Sequence, residues 1–267
     1  MKSIILSIFY KTFDLFFKEN KVFYSICKHC VDRYEGENNS DIHNNGELHF
    51  LNNNAKHFEI VFDVGANRGE WTNLLLNINK DVEVHCFEPS PFTFKKLIAN
   101  NFPKNVICNN IGLSSKKTEA TLFTFQDGSE CNSLYRISGL GKMVQRKEEK
   151  VKLDTLEDYC QKRKIDKIDF LKIDTEGHEL EALKGAEQFI KKNKIGIIQF
   201  EYGGCDISSR TFLEDIIDFL KDLDYRIYKI FPKGVKFIKE YNQDFEDFHY
   251  ANYLAIKNNL PRREIEN

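Results

Sequence analysis

Five short apolar runs, separated by amphipathic stretches, constrain this chain more than any other feature. They are "FEIVFDV" (58–64), "VEVHCFE" (82–88), "NVICNNIG" (105–112), "IDFLKID" (168–174) and "IGIIQFE" (195–201). Runs of this kind belong to strands buried on both faces. Helical patterns fall between or after them, at 69–79, 90–101, 153–164, 179–192 and 209–223. Pro91 suits the first turn of its helix, and Asp154 is expected to cap the helix that follows it. Strands alternating with helices predict an α/β fold, a mostly parallel sheet with helices on both faces. Three later runs, 225–231, 234–239 and 250–258, read as strands, one of them antiparallel. "EATLFTF" (119–125) is strand-like with no helix after it.

The length of 267 residues suits one such domain with an N-terminal extension. We place that helical extension at 1–45 and the main domain at 46–260. Residues 35–47, rich in Asn and Gly, read as the loop between them. With 39 basic and 41 acidic residues there is no basic excess for a broad nucleic-acid surface. Seven cysteines, odd in number and without a framework, point to a reducing cytoplasm. Cys86 and Cys108 read as small core residues. "CKHC" (27–30) has metal-like spacing, but no second ligand pair accompanies it, so no metal is expected and a helical packing face is. The N-terminal segment "MKSIILSIFYKTFDLFFKEN" has too short an uncharged run to span a bilayer. It reads as a helix docked on the domain or on a second copy, admitting a homodimer, with a membrane-surface helix as the lesser alternative.

The first strand runs into "DVGANRG", with Asp63, Gly65, Asn67 and Gly69 before a helix. Ligands of such sheets bind at the carboxyl ends of the strands. A dinucleotide fingerprint needs a middle glycine where this chain has Asn67. Glu88, at the end of the second strand, suits the two hydroxyls of a ribose. Together these fit a nucleoside carrying an amino-acid tail and no phosphate, S-adenosylmethionine.

"VFDVGANRGEWT", "CFEPSP", "VKLDTLEDYC" and "IDFLKIDTEGHELEALKGA" resemble the FkbM-type methyltransferases. The resemblance covers about residues 46–202 and implies a class I, Rossmann-like sheet of seven strands with an antiparallel C-terminal hairpin strand. It implies methyl transfer from S-adenosylmethionine, as O-methylation. It places Asp63, Gly65, Asn67 and Gly69 along the methionine part of the cofactor, Glu88 on the ribose, and Asn110, Ile111 and Gly112 by the adenine. Asn132 and Ser133, in "ECNSLY", resemble a segment near cofactor or substrate.

In this fold the fourth strand's end faces the transferred methyl group, and "DTEGHE" crowds Asp174, Glu176, His178 and Glu179 there. An alcohol must lose its proton as the new bond forms. His178 is the first choice as general base because an ordinary imidazole titrates near neutrality. Asp174 is expected to orient substrate or cofactor, Glu176 to orient His178 or a substrate hydroxyl, and Glu179 to begin a helix. Glu201 is a further candidate from the same rim. The turn lacks the Asn/Asp-Pro-Pro-aromatic pattern of nucleobase amine methylation, and nothing marks Cys205 as activated. The expected acceptor is therefore a small molecule or glycan, not a nucleic acid, with the first 45 residues and segment 126–150 shaping its pocket; Lys142, Arg146 and Lys147 read as a solvated charge run, with contact to an anionic acceptor as the lesser alternative. The alternatives are a nicotinamide-dependent oxidoreductase and a non-catalytic interaction module.

Overall fold

The structure is a computed structural model, and it describes residues 6–7, 10–11, 13–14, 17–124, 132–137 and 147–260. The central sheet is built from β1 (Ile60–Val64), β2 (Glu83–Phe87), β3 (Val106–Asn109), β7 (Ile168–Ile173), β8 (Ile195–Tyr202), β9 (Tyr225–Phe231), β10 (Gly234–Ile238) and β11 (Ala251–Lys257). Their order is β10-β9-β11-β8-β7-β1-β2-β3. The five strands from β3 to β8 are mutually parallel, and β11 inserts antiparallel between β8 and β9. The expected antiparallel C-terminal strand is thus present. The sheet has eight strands where seven were expected, because β10 folds back on β9 as an edge hairpin.

Helices cover both faces, as the buried runs require. Residues alternate along a strand, so Phe62 and Val64 of β1 enter one core while Val61 enters the other. One core takes the apolar faces of α5 (Leu156–Arg163), α6 (Glu179–Lys184), α7 (Glu187–Lys191) and α9 (Leu213–Asp222). The opposite core takes α2 (Glu47–Asn54), α3 (Glu70–Ile78) and α4 (Pro91–Ile98). In α9 the buried positions are Leu213, Ile216, Ile217 and Leu220, an i, i+3, i+4, i+7 stripe. At the centre of the second core Phe170 is fully buried, and its ring lies 5.3 Å from Phe58, 5.8 Å from Trp71 and 5.9 Å from Phe50.

Several local expectations are corrected. The run 105–112 is not one strand: β3 ends at Asn109, and Gly112–Leu113 form β4 of a second sheet. That sheet, in the order β4-β6-β5, adds β5 (Thr118–Thr124) and β6 (Lys147–Asp154). Because Asp154 ends β6, the cap of α5 is Thr155, whose Oγ1 accepts from the Asp158 amide. The helix expected over 179–192 breaks at Gly185–Ala186, where a Cβ on Gly185 would lie 2.0 Å from the Ser114 carbonyl oxygen. The helix expected over 209–223 starts only at Leu213, after the short α8 (Asp206–Ser209) and a left-handed Arg210. In the N-terminal region, α1 (Lys21–Glu35) buries none of its residues, and Cys27 and Cys30 lie exposed where a packing face was expected. No helix among the described residues is long and apolar enough to cross a membrane.

Replacing Phe170 by Ala removes the shared contact of Phe50, Phe58 and Trp71. It is expected to destabilise the fold by about 3–5 kcal/mol in urea unfolding followed by fluorescence.

Candidate active site

The carboxyl ends of β1, β2, β7 and β8 lie side by side, and the turns leaving them form one rim. At the end of β1, Gly65 has φ +84°, and a Cβ there would lie 1.7 Å from the Asp174 carbonyl oxygen. Only glycine allows the first turn to touch the backbone leaving β7 in this way. The amides of Gly65 and Ala66 both donate to the Phe87 carbonyl at 3.0 Å, which ties the same turn to β2. Asn67 is left-handed at φ +47°, and Gly69 is the left-handed residue before α3.

Glu88, just past β2, is buried and accepts from the amides of Asn67 at 3.1 Å and Ser90 at 2.8 Å. Burial pushes its carboxyl up to about 7, while those two amides pull it down. Asn110 donates to the carbonyls of Glu88 and Pro89, fixing the turn after β3 against the turn after β2. Ile111 packs on the first core, and Gly112 already belongs to the second sheet.

Asp63 does not reach the rim. It is fully buried within β1, accepting from Thr72 Oγ1 at 2.7 Å. Its register partner across the β1–β7 ladder is Lys172, whose Nζ lies 3.8 Å from Asp63 Oδ1 and donates to Asp174 Oδ2 at 2.7 Å. The next register position, on β8, is Gln199, which donates to the buried Glu47; Asn45 and Asn252 donate to Glu47 as well. Burial alone would discharge Lys172, but Asp174, Asp63 and Glu47 outweigh it and hold the ammonium above its usual range. Burial raises the carboxyls of Glu47 and Asp63, against the pull of Lys172. This buried row supports the rim from beneath.

Above it, the turn "DTEGH" is folded tightly, with Glu176 at φ +56° and Gly177 at φ +97°. A Cβ on Gly177 would lie 2.9 Å from the Cys205 carbonyl oxygen, so this turn packs against the chain leaving β8. The consequence is a cluster: ligand oxygens of Asp174, Glu176 and Glu201 all lie within 4.8 Å of one another. Burial and the charges of Asp174, Glu176 and Glu179 push the Glu201 carboxyl well above its ordinary range. Cys205 Sγ donates to Glu176 Oε2 at 2.8 Å, and Ser133 Oγ donates to the Glu176 carbonyl at 2.7 Å. Glu179 begins α6 and accepts from both the amide and the hydroxyl of Thr175. Asp206 is also buried nearby, its carboxyl pushed up to about 9 by burial and by Glu179.

His178 is the residue the sequence offers first as general base. It is buried, with Nε2 at 3.0 Å from Ser114 Oγ and Nδ1 at 2.9 Å from Tyr135 Oη. Burial drops its pKa to about 4, so the ring is neutral but weakly basic. The imidazole therefore joins the strand-four turn to the second sheet and to segment 132–137. Ser114, Tyr135, Lys172, Glu47, Gln199 and Asp206 were not picked out from the sequence. Lys172 carried the one available signal, a lysine inside an apolar strand run. Of segment 126–150, residues 126–131 and 138–146 lie outside the described residues, Lys142 and Arg146 among them; Lys147 begins β6.

The rim suits the cofactor expected from the sequence on one further observation. The side-chain oxygens of Asn67 and Asn132 are buried and have no hydrogen-bond partner among the described residues. Together with the Glu88 carboxylate they offer acceptors to a ligand that carries hydroxyls and an ammonium.

A mostly parallel sheet with an antiparallel strand inserted next to its edge pair, and a rim of this kind at its carboxyl ends, defines the class I methyltransferase architecture. The chain matches the Methyltransferase FkbM domain over residues 63–227, and it belongs to that family. The hexuronic acid methyltransferase AglP of Haloferax volcanii is 28% identical over 159 residues, 58% of this chain and 62% of that protein. Among solved structures, the FkbM methyltransferase of Methylobacillus flagellatus KT is 19% identical, covering 73% of this chain and 43% of its own, at a TM-score of 0.46. TrmK of M. capricolum, solved with S-adenosyl-homocysteine, is 13% identical, covering 82% and 72%, at a TM-score of 0.44.

Replacing Lys172 by Met strands Asp63 and Glu47 without their counter-ion and is expected to cost about 3–5 kcal/mol. The Lys172→Met, Asp63→Asn double variant is expected to regain at least ~1 kcal/mol of that loss, read by urea unfolding of all three proteins.

Proposed function

We propose that this chain moves a methyl group from S-adenosylmethionine to a hydroxyl oxygen of a glycan or other small molecule. The observation that carries the reading is the junction at Gly65, where the glycine turn beside Glu88 touches the backbone of Asp174. It sets a ribose-type acceptor pair and a cluster of three carboxylates side by side on one rim. The hexuronic acid methyltransferase relative supports a sugar as the acceptor class. Family membership sets aside the nicotinamide reading.

When bound, S-adenosylmethionine supplies a methyl group already activated by positive sulfur, which leaves the protein placement and proton removal. Glu88 accepts the ribose hydroxyls. Asn67 and Asn132 offer their free oxygens to the ammonium. Gly65 and Gly69 keep side chains out of the turn, and Asn110, Ile111 and Gly112 border the adenine. Asp63 acts from below, through Lys172 and Thr72, rather than by contact.

The hydroxyl proton passes to the Asp174–Glu176–Glu201 cluster. The ligand oxygens of these three carboxyl groups lie within 4.8 Å of one another, close enough for the group to share a proton taken from the acceptor. When the hydroxyl oxygen takes the methyl group and the carbon–sulfur bond breaks to leave a neutral thioether, Glu176 or Asp174 would receive the hydroxyl proton, so that no net charge is left on the oxygen. His178 is a positioning residue, fixing the turn through Ser114 and Tyr135. A carboxylate on the acceptor sugar would be repelled by this cluster, so an acidic sugar enters with its anionic group directed away from it.

Hydroxyl donors favour the ionised form of Glu88. Affinity for S-adenosylhomocysteine is therefore expected to fall as pH drops below about 7, the value to which burial has pushed this carboxyl. Glu88→Gln is expected to flatten that dependence and to weaken binding above neutrality by about tenfold or more, measured by calorimetry across pH.

Methyl-labelled cofactor offered with a panel of neutral and uronic-acid glycans is expected to label a sugar oxygen. Glu176→Gln is expected to lower turnover by about a hundredfold while S-adenosylhomocysteine binding stays within a few-fold. Label found only on nitrogen, or only on a nucleic acid, would overturn the acceptor assignment.

A further inference from the structure

Helix α1 faces the wrong way for a helix that stabilises this domain. Its apolar residues Val22, Phe23, Tyr24, Ile26, Val31 and Tyr34, with Cys27 and Cys30, project onto one arc of about 200° at helical spacing. Lys21, Ser25, Lys28, His29, Asp32 and Glu35 fill the opposite arc, and Arg33 alone interrupts the apolar one. Such a pattern ordinarily buries its apolar arc. Here Val22 is 71% exposed, Tyr24 67% and Tyr34 81%, and Ile26 and Val31 are exposed as well. Three of the four half-buried side chains are charged, namely Lys28, Asp32 and Glu35, with Phe23 the fourth.

The orientation is set where α1 meets the domain. Asp32, paired with Lys28 at 3.2 Å, lies with Glu37 and His249 in a group whose ligand atoms are within 4.8 Å of one another. Glu37 is buried in an ion pair with Lys229 of β9, and the Asn38 amide donates to the Tyr250 carbonyl. Gly36 ends the helix left-handed, where a Cβ would lie 2.8 Å from the Phe231 ring. The last turns of α1's polar side, at Asp32 and Glu35, are thus held near β9 and the chain entering β11, while Lys21, Ser25 and His29 of that side are exposed and most of the apolar side is exposed with them. The apolar surface continues into the preceding residues. Phe17 stacks on Phe23 at 4.3 Å, Phe13 meets Phe23 edge-on at 5.1 Å, and Leu6 and Tyr10 are exposed.

We propose that this outward face docks on an anionic lipid surface. Charge selects that occupant over a second copy of the chain. Residues 1–35, through the end of α1, carry six Lys and Arg against four Asp and Glu, whereas the whole chain carries 39 against 41. Pairing two such segments would set basic surfaces against each other, while an anionic bilayer attracts them and its own negative charge is kept from the acidic remainder. Tyrosines with an apolar ring and a polar tip suit the headgroup boundary, and the helix is far too short to span. The inference needs no step of the proposed reaction.

The test is co-sedimentation of the full-length protein with phosphatidylglycerol-containing and with pure phosphatidylcholine vesicles, alongside light scattering of the protein alone. The expected result is binding to the anionic vesicles that weakens about tenfold or more on neutral vesicles or in high salt. The Val22→Glu, Ile26→Glu, Val31→Glu triple variant is expected to lose vesicle binding by a similar factor. Its far-ultraviolet circular dichroism and S-adenosylhomocysteine affinity should be unchanged, since those side chains touch neither core nor rim. No anionic-vesicle binding, equal binding to both vesicle types, or a concentration-dependent dimer dissolved by the triple variant would overturn the proposal, the last assigning the face to a second copy.

Discussion

The rim depends on one buried cation. Lys172 sits in the middle of the central sheet, on a strand apolar on either side of it, with Asp63 across the ladder, Asp174 two residues on and Glu47 reaching in from α2. An ammonium taken out of water is expensive, and only several carboxylates around it keep it charged. Once charged, it fixes the ends of β1 and β7 at the same height, because neither Asp63 nor Asp174 can move without unpairing it. Asp63, expected beside the cofactor, is itself fully buried within β1, where it accepts from Thr72.

Backbone approaches do the rest of the positioning. Gly65 against the Asp174 carbonyl, Gly177 against Cys205 and Gly185 against Ser114 are three points where a methyl group would collide with another segment's main chain. Each draws a turn towards its neighbour and fixes the distance between side chains that follow. The carboxylates of Asp174, Glu176 and Glu201 crowd together because of two of these contacts, not because any one strand places them so. The third brings α6 and His178 onto the second sheet, and the imidazole then fills its hydrogen bonds with Ser114 and Tyr135. Burial of this ring lowers its basicity.

The second sheet accounts for most local departures from the expected element boundaries. It draws Gly112 and Leu113 out of the run that contains β3 and leaves Asp154 in a strand, so that Thr155 caps α5. Nothing in the local pattern of 147–154 marks it as a strand, since only Val151 and Leu153 are buried there, beneath Leu122 of its partner.

Apolar runs buried on both faces, with helices between them, were enough to specify a mostly parallel sheet covered on two sides, because that burial pattern is written residue by residue along the chain. The glycine turn, Glu88 and the crowded "DTEGHE" were legible for the same reason, as each is a short contiguous stretch. Partnership across the sheet was not: that Lys172 meets Asp63, that Glu201 joins Asp174 and Glu176, and that His178 closes on Ser114 are register facts between segments far apart in sequence. The direction in which α1 faces was equally hidden, since an amphipathic pattern states that two faces differ and leaves to the contacts of Gly36, Glu37 and Asp32 which of them meets the domain. Periodicity fixed which residues share a face; only the packed chain, through charge pairing and backbone clearance, decided what each face meets.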